Sequence, residues 1–294
     1  MHMIRTSRFG LAAPALVAAA LAAPPAQAQN FERVSTGITD AVQDAVELLP
    51  EGVSNFRLGL GPVINTDYEG SDHYKINPVP VVSLRIKNIV EIDNNEIKLT
   101  ALRRFSGSDG NMGRGNTLRA GPLVSINFGR GEGDSPDLRG MGGVGTGFEL
   151  GAFVAYYFND TKSRVRLRAR QDVVDGHGGA LISADFNQVF IRSAKYNLGG
   201  VAAVTWASGA YMRSYFGVNP TQAAASGYPV HRPGNGIKDV TFALNANYVL
   251  TERWSLVGNV SYRRLVGGAA DSPIVRLVGS PNQMSYSTFI VYSF

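Results

Sequence analysis

Four arginines, Arg164, Arg166, Arg168 and Arg170, recur at every second position of one short run. In an extended strand that spacing puts all four guanidinium groups on one face, with Val165, Leu167 and Ala169 on the other. Such a row can hold or steer anions, or it can pair with carboxylates across a packed interior and stiffen it. Arg119 and Arg263, together with Lys75 and Arg85, fall on the polar faces of other alternating runs, as do Glu149, Asp172 and Asp185. Both uses stay open at this point, because strand faces follow from the sequence and lumen width does not.

The other chemistry-bearing candidates are weaker. His73, His177 and His231 fall in separate loops, and Asp172 with Asp175-Gly176-His177-Gly178-Gly179 places a carboxylate near an imidazole. A metal site or an acid/base device would need a second ligand set or a nucleophile motif at suitable spacing, and none accompanies it. The expectation is a glycine-rich turn with solvated polar groups. Gly140-Met141-Gly142-Gly143-Val144-Gly145 fits G-x-G-x-x-G, yet no βαβ unit surrounds it and a strand follows, so it reads as a loop. The chain has no cysteine, which excludes disulfides and thiolate metal sites. No catalytic, cofactor-binding or metal-ligating residue is assigned, and no cofactor is expected.

The elements that must position these residues are strands. Met284, Tyr286, Thr288, Ile290, Tyr292 and Phe294 share one face of the last run, against Ser285, Ser287, Phe289, Val291 and Ser293. The same alternation recurs upstream, as in Val240, Phe242, Leu244, Ala246, Tyr248 and Leu250 against Thr241, Asn245 and Asn247. Eleven such runs occur: 55–65, 74–86, 90–104, 117–129, 146–158, 164–173, 180–191, 197–206, 237–250, 253–263 and 282–294. Asn159 to Ser163, Arg192 to Tyr196 and Thr251-Glu252 are short turns, whereas 130–145, 207–236 and 265–281 are long. Short turns on one rim, long loops on the other and aromatic residues at strand ends describe a transmembrane β-barrel. The arginine row then has to face inward, since each arginine facing lipid would cost about 2–4 kcal/mol near the midplane. A bacterial barrel needs an even strand number. The break at Asp93-Asn94-Asn95 divides the third run and gives twelve strands, with ten as the runner-up.

The ends agree with export. Arg5 and Arg8 precede an apolar stretch from Phe9 to Ala23 and then Ala26-Gln27-Ala28, the order of a secretory signal peptide over residues 1–28 with cleavage after Ala28. The stretch is too short for an anchor, and Pro14 interrupts it. Removing it takes away two of 28 basic residues and none of 23 acidic ones, leaving a net charge of +3, too mild to imply nucleic acid. No later stretch approaches 18 consecutive apolar residues, and the mean hydropathy of −0.04 excludes a helical membrane protein. Residues 29–54 form a separate periplasmic or plug segment before a barrel over 55–294. Within it Ile38, Val42, Ala45, Val46 and Leu49 recur at helical spacing before Pro50, so a short amphipathic helix over 31–49 is predicted; a disordered linker is the alternative.

From about Arg57 to Phe294 the chain resembles the MipA/OmpV family of outer-membrane proteins. The matching segments are Tyr68-Glu69-Gly70-Ser71-Asp72, Pro78-Val79-Pro80, Arg119-Ala120-Gly121-Pro122 and Gly176-His177-Gly178-Gly179. They continue with Tyr211-Met212, Tyr215-Phe216-Gly217-Val218, Gly236-Ile237-Lys238-Asp239, Trp254-Ser255 and Asp271-Ser272-Pro273-Ile274-Val275. The resemblance implies a non-enzymatic outer-membrane barrel, a scaffold that brings a periplasmic murein transglycosylase to a peptidoglycan synthase. Its further partners would be outer-membrane lipid and the barrel-assembly machinery, which would read Tyr286, Ile290, Tyr292 and Phe294. The alternative is a small anion-favouring channel or porin with a basic lumen.

Overall fold

The computed structural model describes residues 56–87, 89–106, 115–158 and 162–294. The helix predicted over 31–49 and the signal peptide lie outside these residues. The described chain is a closed antiparallel barrel. Its strands are β1 (Phe56–Thr66), β2 (Tyr74–Ile86), β3 (Val90–Asp93), β4 (Glu96–Leu99, continued by Leu102–Ser106) and β5 (Asn116–Asn127). There follow β6 (Gly147–Phe158), β7 (Ser163–Asp172), β8 (Ala180–Arg192), β9 (Tyr196–Ala207), β10 (Gly236–Val249), β11 (Trp254–Leu265) and β12 (Asn282–Ser293). Each strand pairs with its neighbours in sequence, and β1 pairs with β12. The twelve strands match the count obtained by dividing the third run at Asp93-Asn94-Asn95.

The two pieces of β4 are one strand with a bulge. Lys98 pairs with Leu123 and Leu102 with Ala120, so β4 carries one extra residue against β5. The approach there is close enough that a Cβ on Gly121 would lie 1.8 Å from the Leu99 carbonyl oxygen. Pro122, the next residue, has no amide hydrogen to offer the ladder.

Burial alternates along the strands. Arg164, Arg166 and Arg168 are buried while Val165 and Leu167 are exposed. Leu150, Val154, Phe242, Leu244, Leu256, Val260, Tyr286 and Ile290 likewise point outward. An apolar belt of that extent would be untenable in water and suits hydrocarbon. At the short-turn rim Phe56 stacks on Phe294 at 5.0 Å, and Trp254 meets Tyr292 edge to face at 4.9 Å. Inside, Val63, Val79, Val81, Val257, Phe289 and Val291 form a buried apolar cluster that fills part of the barrel.

The long loops of the other rim fold together into a cap. It contains α1 (Gly209–Phe216), α2 (Pro220–Ser226), α3 (Gly267–Ala270) and α4 (Pro273–Arg276). The start of α2 is encoded locally: Asn219 Oδ1 accepts from the Gln222 amide at 2.9 Å, and Gln222 Oε1 accepts from the Asn219 amide at 2.8 Å.

Candidate functional site: a capped lumenal chamber

The cap has its own hydrophobic core. Tyr68, Leu138, Met141, Met212, Phe216, Val218, Ile274 and Val275 are all buried in it, drawn from four different loops. Hydrogen bonds tie those loops together: Tyr68 Oη donates to the Ile274 carbonyl at 2.7 Å, Ser272 Oγ to Phe216 at 2.6 Å and Gln222 Nε2 to Met141 at 2.6 Å. Burial, with Asp137 nearby, pushes the Tyr68 phenol above the ordinary tyrosine range.

His177 belongs to this assembly. The sequence places it in a glycine-rich turn among solvated groups, yet it is only 3% exposed. Its Nδ1 accepts from the Gly179 amide at 3.1 Å, which leaves Nε2 to donate to Glu149 at 3.0 Å. The Tyr211 ring lies edge to face against it at 4.9 Å. The imidazole thus packs between strand and cap, and its carboxylate partner is Glu149, not the sequence neighbours Asp172 and Asp175. Asp172 instead accepts amides from Val174, His177 and Gly178, shaping the 173–179 turn.

The arginine row is paired with acids. Asp185 accepts from Arg164 Nη2 at 3.1 Å and from Arg166 Nε at 2.8 Å. Arg168 reaches past two strands to Glu96 at 3.5 Å, and Arg170 meets Glu149 at 3.1 Å. Arg119 contacts Glu91 at 3.2 Å, and Lys98 lies within 4 Å of Glu91, Asp93 and Glu96. Arg263 and Lys238 both contact Glu69, and Lys238 also pairs with Asp239 at 2.6 Å.

Beneath the cap lies a chamber of about 170 Å³. Among the described residues, five cations, Arg130, Arg168, Arg170, Lys238 and Arg263, line it with three carboxylates, Glu69, Glu96 and Asp239. Arg168, Arg170 and Arg263 are residues that strand alternation selects. Arg130 is not, because it lies past the end of β5, where alternation assigns no face. Glu69, Lys238 and Asp239 were visible only as parts of family-like segments. Among the described residues no group of three His, Cys, Asp or Glu side chains could hold a metal ion.

The family model described as "MltA-interacting protein MipA" matches residues 58–294. The chain belongs to this family. This MipA-family barrel is accordingly an outer-membrane protein. Among solved structures it is similar to the NanC porin, at 14% identity and a TM-score of 0.44, over 81% of this chain and all of that one. It is also similar to the KdgM porin, at 12% identity and 0.38, covering 81% of this chain and 99% of that one. The translocator domain of autotransporter NalP from Neisseria meningitidis gives 12% and 0.38, over 90% and 99%. No curated protein matches the chain.

Proposed function

We propose that this barrel is a narrow, mouth-capped channel that favours small anions, and that it is not an enzyme. The excess of cations over carboxylates among the described residues that line the chamber, Arg130 foremost, is the observation that supports this reading. Charges of one sign in a low-dielectric wall concentrate ions of the other. Because the cap packs around a buried core, conduction would be intermittent, with the cap as the moving part.

Planar-bilayer recording tests this. The wild type should give brief openings, and deletion of the 207–236 loop should give a steady conductance whose reversal potential is displaced toward that of chloride. Arg168→Gln combined with Arg263→Gln should move it back toward zero. Absence of conductance in the wild type and in variants lacking 31–49 or 207–236 would end the idea.

The family's description as MltA-interacting favours a second reading, a scaffold. On that reading a periplasmic murein transglycosylase and a peptidoglycan synthase dock at the short-turn rim or on residues 29–54. Mild crosslinking in envelope extracts followed by pulldown should recover them, and recovery of no cell-wall enzyme counts against it.

A further inference from the structure

Among the described residues, the closed barrel has a gap in strand pairing in its cap-side half. Residues 74–81 of β2 pair with β1 on one edge, but β3 pairs only with residues 83–86, so the other edge has no strand among the described residues. The Val82 amide donates to Asn94 Oδ1, which shows that even-numbered amides of β2 face this edge. Two of those positions are Pro78 and Pro80, which have no amide hydrogen. Proline on an exposed edge stops it from recruiting another strand. The gap is therefore protected from being closed by pairing.

The opening has a defined frame. Its sill is the β3–β4 turn, where Asn95 Nδ2 donates to the Ile126 carbonyl at 2.9 Å. Its posts are β2 and residues 127–130 leaving β5, and its lintel is the contact of His73 with Asp137 at 3.5 Å. At the sill, β2 and β5 are three strand spacings apart, roughly 14 Å. The chamber lies directly behind, lined by Asn95, Asn127, Gly129 and Arg130.

Arg130 is the second observation. It is 3% exposed, its guanidinium donates from Nη1 to the Tyr215 carbonyl at 2.7 Å, and its Nε has no hydrogen-bond partner among the described residues. None of the ion pairs among the described residues includes it. A buried guanidinium with no carboxylate in ion-pair contact, Glu69 being its nearest acidic influence across the chamber, is costly, and an anion in the chamber would relieve that cost. The chamber's volume falls below the about 300–1,000 Å³ of pockets that hold drug-sized ligands, so it has room for a head group and not for a chain as well. Outside the window Ile76 is 68% exposed on the lipid face.

We propose that this window is a lateral doorway between the chamber and the outer leaflet, and that its ligand is a single-chain anionic amphiphile. The head group binds at Arg130 and the acyl chain passes out over the β2 edge into lipid. The inference rests on the chamber's preference for anions, but needs no conduction along the barrel axis.

Palmitate carrying a diazirine at its chain end, photolysed with the protein in nanodiscs, tests the doorway. Cross-links should concentrate on residues 74–81 and be competed by palmitate but not by hexadecanol. Arg130→Gln should weaken labelling at least tenfold, and Arg130→Lys should restore part of it. Labelling spread evenly over the lipid-facing strands, or competed equally by hexadecanol, overturns the proposal. So does wild-type labelling in a folded Arg130→Gln protein; should that variant not fold, the competition pattern decides alone. Anion conductance without window labelling sinks the doorway only, whereas window labelling without conductance sinks the axial channel only.

Discussion

Asp185 shows what a single carboxylate does inside this wall. It holds two arginines of β7 at once, and all three groups are shielded from water. Removing one member of a buried ion pair costs about 3–5 kcal/mol. Asp185→Ala should therefore lower the temperature at which the folded barrel converts to the unfolded band on gels, and by more than Asp185→Asn, which keeps a hydrogen-bond acceptor. Tyr68 gives a pH-dependent counterpart in the cap. Its phenol stays neutral in the fold above the ordinary tyrosine value near 10, whereas an unfolded cap would release the proton there. Its contribution is thus intact below about pH 10 and falls as the pH rises further. Proteolysis of the 208–235 loop should accelerate as the pH rises above about 10, and Tyr68→Phe should flatten that rise. At this scale the sequence was readable where residues lie on strands: Arg164 to Arg170 and Asp185 declare their faces by a period of two. Arg130 and His177 were not readable, because burial in a loop-built cap depends on how four distant segments meet.

Among the elements, the β3–β4 hairpin departs furthest from a plain barrel. β3 has four residues, too few to cross a membrane that takes about 9–11 tilted strand residues. Asn94, at φ 49°, makes the reversal, and its side chain replaces a strand neighbour for Val82. The Asp93-Asn94-Asn95 break announced that reversal in the sequence. The shortness of β3 and the bulge in β4 did not show, since apolar alternation continues through 90–104 whether or not the ladder is regular. Gly121 is what lets the bulged strand lie against β5. Gly121→Val should abolish the heat-modifiable folded form, because backbone atoms of Leu99 and Ala101 already occupy the space of a side chain. A variant that still folds with unchanged melting would show that β4 can shift outward, and the doorway's sill with it.

Over the whole molecule, closure depends on the seam between β1 and β12, which brings the two ends of the described barrel together. Phe294 donates its amide to the Phe56 carbonyl at 3.1 Å, and its ring contacts both Phe56 and Tyr292. The sequence reading offers Phe294 as a signal for the assembly machinery; its packing in the seam required the fold. A signalling role beside the packing role would give two separable losses. Deleting Phe294 should reduce the amount of barrel reaching the outer membrane. Phe56→Ala, which removes the stacking partner and leaves the C-terminus intact, should leave that amount unchanged and lower the melting temperature modestly, since an aromatic pair contributes about 0.5–1.5 kcal/mol beyond its buried area. Quantifying folded protein in membrane fractions beside melting of the purified barrel tests the separation. Equal losses of yield in both variants would mean that Phe294 acts through packing of the seam, and that recognition by the assembly machinery lies with Tyr286, Ile290 and Tyr292 upstream.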